Sequence, residues 1–73
     1  MVELQDAQYI AVSFVKEKKN VDEVNIIVTE QKQGVWVVKG TCPIDLAGHP
    51  WRESFEVIVD PKGKIRDFSF RLM

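Results

Sequence analysis

The spacing of hydrophobic residues divides the chain into one helical segment followed by a series of strands. Over residues 3–19, apolar positions recur every three or four residues, with the small Ala7 and Ala11 inside the apolar stripe. This spacing predicts an amphipathic helix. Acidic residues come early in the segment and lysines come late, an order that suits the helix dipole. Asn20 is the predicted C-terminal cap.

After Asn20 the hydrophobic period changes to two, which predicts strands. The first strand lies in VDEVNIIVTE, with Val24, Ile26 and Val28 expected on one face. QKQG forms a turn before VWVVKGTC, and WRESFEVIVD and KIRDFSFRLM supply the third and fourth strands. Short connections favour antiparallel neighbours. We therefore expect a single α+β domain over residues 1–73, with an N-terminal helix packed on a four-stranded antiparallel meander, in the order α-β-β-β-β.

The last hairpin leaves its register open. DPKG is a strong turn signal, with Asp first, Pro second and Gly fourth. A three-residue turn with a bulge at Gly63 would place Val57 beside Asp67, facing the wrong way. A two- or four-residue connection would keep Phe55 and Phe68 on the same side, and a further bulge is the remaining alternative.

One face of the predicted sheet is left without a cover, because a single helix covers only one side. In the second strand, either Trp36 and Val38 or Val35 and Val37 must point away from the helix. An apolar patch on such a face often marks an interface, so we expect a homodimer or a protein partner there. The candidate interface consists of Ile27, Trp36, Val38, Ile58 and Ile65.

Composition and charge narrow the function classes. Hydrophobic residues make up 45% and charged residues 29% of the 73 positions, which is typical of a globular domain. A net charge of −1 gives no general attraction to nucleic acid. The stretch KGKIRDFSFR alternates basic and aromatic residues as single-strand binders do, but Phe68 and Phe70 are needed for the core. We therefore do not expect nucleic acid as a partner.

The chain carries neither a secretion signal nor an apolar run long enough to cross a membrane. MVELQDAQYI lacks a basic region followed by a long apolar segment, and no 18 consecutive residues are apolar. The single cysteine cannot form a disulfide within the chain and favours a reducing compartment. We expect a soluble, cytoplasmic protein without membrane contact.

TCPIDLAGHP, residues 41–50, is the segment most suggestive of chemistry. It holds the only cysteine, Cys42, and the only histidine, His49, with Asp45 between them. A zinc site needs more ligands than these and usually a second cysteine, so we expect no metal and no cofactor. A thiol enzyme would require Cys42 and His49 within hydrogen-bond reach, which a proline-bounded loop holds poorly. We expect a connecting loop over residues 43–50 and no enzyme.

That loop still offers a second functional hypothesis, a small-ligand or peptidase-inhibitor module. Its contact residues would be Cys42, Asp45, His49 and Trp51. Glu53 shares a predicted face with Trp51 and would be a candidate base if buried. We expect it instead to reach solvent near the strand end.

Two motif patterns resemble known small modules. FEVIVDPKGKI resembles the closing hairpin of PepSY-type modules through Val57, Val59, Asp60, Gly63 and Ile65. That resemblance implies a regulatory or inhibitory role, often toward peptidases and usually outside the cytoplasm. WVVKG at residues 36–40 and the later Pro50-Trp51 resemble, in order, the two hairpins of cystatins. That resemblance implies a sheet wrapped on a helix and inhibition of peptidases.

Overall fold

A computed structural model describes residues 2–73, without the side chain of Leu46. One helix precedes four strands, and the sheet has the order β1-β2-β3-β4 with antiparallel neighbours. The elements are α1 (Leu4–Lys19), β1 (Asn25–Lys32), β2 (Val35–Leu46), β3 (His49–Val59) and β4 (Ile65–Leu72). The predicted α+β meander is therefore confirmed. No helix in the described part of the chain is long and apolar enough to cross a membrane.

Local hydrogen bonds define where the helix begins and where it ends. At the start, the backbone N–H of Glu3 donates to Asp6 Oδ2 at 3.2 Å, half of a capping box. At the end, Asn20 takes a left-handed conformation with φ 55° and donates its N–H to the Lys16 carbonyl. Asn20 is thus the C-terminal cap that the sequence predicts.

The helix approaches the sheet through its smallest residues. Ala7, Ala11 and Val15 are fully buried in the same cluster as Val38 and Val57. Alanine adds almost no side-chain thickness, so the helix backbone lies close to the strands. Two hydrogen bonds hold the chain start beside this contact. Trp36 Nε1 donates to the Val2 carbonyl at 3.1 Å, and the Val2 N–H donates to the Pro61 carbonyl at 3.3 Å.

The structure decides between the two facings of strand β2 that the sequence left open. Val38 is fully buried in the core, and Trp36 packs against that core. Their place in the candidate open-face interface is therefore wrong, and the alternative with Val35 and Val37 outward is the one the structure adopts. The reason is that Val38 alternates with Gly40 and Cys42, whose small size leaves room for the helix. Val35 and Val37 therefore take the open face, by the period of two.

A β-bulge at Ile27 changes the facing of β1. Ile26 pairs with Gly40 and Val28 pairs with Lys39, which leaves Ile27 as the extra residue. Ile26 packs against the core as predicted. Val28 is 40% exposed, and its predicted place on the same face as Ile26 is wrong, because the bulge shifts the parity of every later residue.

A second bulge settles the register of the β3–β4 hairpin. Ile58 pairs with Asp67 and Val59 pairs with Ile65, so Arg66 is the extra residue. The bulge returns Phe68 to the helix side, opposite Val57. The turn itself is held by Asp60.

Asp60 closes this turn by accepting backbone hydrogen bonds. Its Oδ1 accepts from the N–H groups of Lys62 and Lys64, each at 2.9 Å. These bonds favour the ionised form. The pKa of the Asp60 carboxyl is therefore lowered, mainly by the hydrogen bond from Lys64. The bond from Lys62 and the positive charges of Arg66 and Lys64 lower this pKa further.

We predict that Gly40→Ala is strongly destabilising. A Cβ at this position would collide with the Asn25 carbonyl oxygen and lie 2.8 Å from Cζ of Phe55. We expect a loss of about 2–3 kcal/mol in the free energy of unfolding, the usual range for overpacking. Gly34→Ala is the control, because a Cβ there meets nothing within 4 Å. Its loss comes from the positive φ alone and should be smaller, about 1 kcal/mol. Equal denaturant midpoints for the two variants would contradict the close approach.

Candidate functional site

Residues 43–50 form the end of a hairpin and not the loop that we expected. Ala47 and Gly48 have positive φ angles of 52° and 82°, the pattern of a two-residue hairpin turn of type I′. On either side, Asp45 pairs with Pro50, and Ile44 pairs with Trp51. The strands β2 and β3 therefore extend up to this two-residue turn.

Among the described residues, no third strand pairs with this end of the hairpin. The last residue of β2 that pairs with β1 is Thr41, and the last residue of β3 that pairs with β4 is Glu53. We call residues 43–51 the arm. Both of its strands have a free outer side, where a proline nitrogen needs no partner. This is why Pro43 and Pro50 are compatible with strands here, although prolines in a sequence indicate loops.

A groove runs between the arm and the segment that follows the helix. Its volume is about 670 Å³ and it is open to solvent. One side is formed by the arm, including Pro43, Ile44 and Pro50, and the other by residues 19–23. The sharp turn at Asn20 places residues 21–23 opposite the arm, so the helix cap and the long hairpin together create the groove.

The helix end carries an ion pair next to the groove. Lys19 Nζ lies 2.8 Å from Glu53 Oε1 and 4.2 Å from the centre of the Phe70 ring. Only 13% of the Glu53 side chain is exposed. Our expectation that Glu53 reaches solvent is therefore wrong. The Lys19 side chain is long enough to fold back over the sheet and cover the Glu53 carboxylate.

The Glu53 carboxylate depends on this lysine. Its Oε1 atom is buried and accepts no hydrogen bond from the described residues, although the ammonium group is 2.8 Å away. The contact is thus an ion pair without hydrogen-bond geometry. A buried carboxylate without its cation would carry a large desolvation penalty, so Lys19 is held in place by Glu53 and is not free for another anion.

The structure separates the chemical residues of the arm segment. Cys42 is fully buried under the helix and pairs with Glu53, whereas His49 is exposed beside the turn. His49 pairs with Leu46, which is four residues from Cys42 along β2. At the usual rise per residue this separates the thiol from the imidazole by about 13 Å, too far for contact. Asp45 is exposed and lines the groove. The described residues contain no group of three or more potential metal ligands.

Trp51 is the arm's one large exposed aromatic residue among those described. It is 47% exposed and pairs with Ile44, which packs against the core. Trp51 lies on the same arm as Asp45, but of the residues in the loop hypothesis only Asp45 lines the groove. Val21 and Asp22, which line the opposite side of the groove, were missed in the sequence, because only the fold brings them near the arm.

The candidate open-face interface is only partly assembled. Ile27 is 67% exposed at its bulge, and Ile58 lies half-buried opposite Val37. Trp36, Val38 and Ile65 instead contribute to the core. Polar side chains share this face, including the pair of Lys39 and Glu56, whose charged atoms are 3.8 Å apart. The face is therefore more polar than predicted.

Of the two aromatic residues of β4, Phe70 packs against the core, as the sequence indicates. Phe68 is 40% exposed, so the prediction that it belongs to the core is wrong. The ring of Phe68 lies 4.9 Å from Phe14 and 5.8 Å from Phe70, measured between centroids. Lys18 Nζ lies 5.1 Å from the centre of the Phe68 ring. Helix side chains thus contact the ring of Phe68, part of which stays exposed to solvent.

Comparison with known proteins finds no matching family model, no matching curated protein and no matching solved structure. The resemblances to PepSY-type modules and cystatins therefore stay predictions.

We predict that Cys42 reacts slowly with thiol reagents in the folded protein. Burial raises the pKa of its thiol, and the charge of Glu53 raises it further, while Lys19 lowers it. We expect a reaction with Ellman's reagent at least about 100-fold slower than that of an exposed thiol, because attack requires local opening. The control is the single-thiol variant Cys42→Ser/Ser13→Cys, with the thiol on the exposed helix face. Equal rates for the two proteins would overturn the prediction.

Proposed function

We propose that this protein is a non-catalytic binding module that holds another molecule in the groove beside the arm. The observation that carries the proposal is the arm itself. A two-stranded extension that stands beyond β1 and β4 pairs only with itself, and it forms one side of a groove of about 670 Å³. Ligand sites commonly have volumes of about 300–1,000 Å³.

The chemistry near the groove supports binding and not catalysis. The thiol of Cys42 is buried and its pKa is raised, which disfavours the nucleophilic thiolate. The carboxylate of Glu53 is already paired with Lys19. Neither group is poised to attack a molecule in the groove. A lone buried thiol also agrees with the proposed cytoplasmic location.

Self-association through the open sheet face is the second candidate function. It is favoured by the neighbours Ile27 and Val28, which are 67% and 40% exposed on an edge strand. With the half-buried Ile58, they form the exposed apolar part of that face. A second copy covering these residues would remove apolar surface from water.

We predict that peptides selected against the protein bind in the groove. Hexapeptides from a random display library would be selected on the folded protein and mapped by amide chemical shifts in NMR spectra. We expect the shifts to concentrate at Val21, Ile44 and Gly48, and Pro50→Trp to weaken binding at least about tenfold by filling the groove. Arg52→Trp is the control on the same strand, outside the groove. Shifts confined to the open face, or equal effects of the two variants, would reject the groove.

We predict for the second candidate that the solution mass, measured by light scattering, rises with concentration toward twice the monomer mass. Ile27→Lys and Ile58→Lys should each weaken the dimer by about tenfold or more, since each would bury a charge in the interface. Trp51→Lys is the control, because Trp51 lies on the arm. A constant monomer mass at all concentrations would eliminate self-association.

A further inference from the structure

We propose that the groove binds an extended peptide segment of a partner protein, and that a lysine or arginine side chain of this segment lies between the carboxylates of the groove. This inference rests on the function proposed above and specifies the partner. It is argued from the charges that line the groove, from its apolar surface and from its shape.

The groove has an uncompensated negative charge. Asp22, Glu23 and Asp45 line it, and none of them forms an ion pair within the described part of the chain. The one cation of the lining is Lys19, and Glu53 occupies it at 2.8 Å. The carboxylates come from both sides of the groove, so a cation placed between them would be attracted from both.

The apolar residues of the groove suit the stem of a basic side chain. Val21 and Ile44 face the groove from its two sides, together with Pro43 and Pro50. Lysine and arginine side chains lay their methylene groups along apolar surface and keep the charged end in a polar setting. A groove with apolar walls and acidic residues fits such a side chain better than a bare metal ion, for which no ligand cluster exists among the described residues.

The shape of the groove favours a peptide over a free small molecule. Sites for small molecules enclose most of the ligand surface, whereas this groove is open to solvent. An extended chain can enter and leave such a groove at its ends while one side chain is held inside. The partner is therefore a protein segment with an exposed basic residue flanked by small or apolar residues.

The test uses the hexapeptides selected on the folded protein. We expect lysine or arginine in most peptides that map to the groove. Replacing that residue with norleucine, which keeps the stem and removes the charge, should weaken binding about 5- to 20-fold, as expected for one or two exposed ion pairs. The double variant Asp22→Asn/Asp45→Asn should weaken binding of the basic peptide by a similar factor. Its affinity for the norleucine peptide should equal that of the wild type.

The control variant is Glu17→Gln/Glu30→Gln, which has the same net charge as Asp22→Asn/Asp45→Asn and leaves the groove intact. It should bind the basic peptide as tightly as the wild type does. Groove-binding peptides without basic residues, or equal binding of the norleucine peptide, would overturn the inference while leaving the groove function in place. If no selected peptide maps to the groove, both proposals fail.

Discussion

The close contact between helix and sheet is the constraint on which the rest of the structure depends. Ala7 and Ala11 are fully buried, and the sheet meets them with a strand that carries Gly40 and Cys42 on the same side as Val38. Small residues on both partners allow a short distance that larger side chains would prevent. This contact decides which face of β2 is inward, and with it the facing of every strand that pairs with β2.

Each edge strand contains one extra residue, which decides the side chains that face the helix beyond it. Without the bulge at Ile27, Thr29 would turn to the open face and lose the hydrogen bond from Gln8 Nε2, which is 3.1 Å long. Without the bulge at Arg66, Phe68 would leave the helix side. Bulges also disturb the regular edge that invites pairing with other chains. The same two irregularities therefore decide which side chains face the helix and modify both free edges.

The sequence was sufficient to predict the helix, its cap at Asn20, the four strands and their order, because these follow from local periodicity and turn residues. It was insufficient to predict which face of β2 meets the helix. Residues 35–38 are all apolar, so the alternation of side chains between the two faces does not distinguish the buried face from the open one. Bulges at Ile27 and Arg66 leave no compositional signal. The arm was missed because proline usually excludes a strand, a rule that weakens where both strands have a free side. The groove depends on contacts between distant segments.

The core and the groove are linked by a single ion pair. The helix ends where Lys19 lies over Phe70 and beside Glu53, and both partners are positioned by the packing of α1 on the sheet. Because Glu53 neutralises Lys19, the carboxylates of Asp22, Glu23 and Asp45 determine the sign of the groove's potential. If Lys19 pointed into the groove instead, it would compete with any incoming cation and leave a buried carboxylate unpaired. The charge preference of the surface is thus a consequence of how the core is closed.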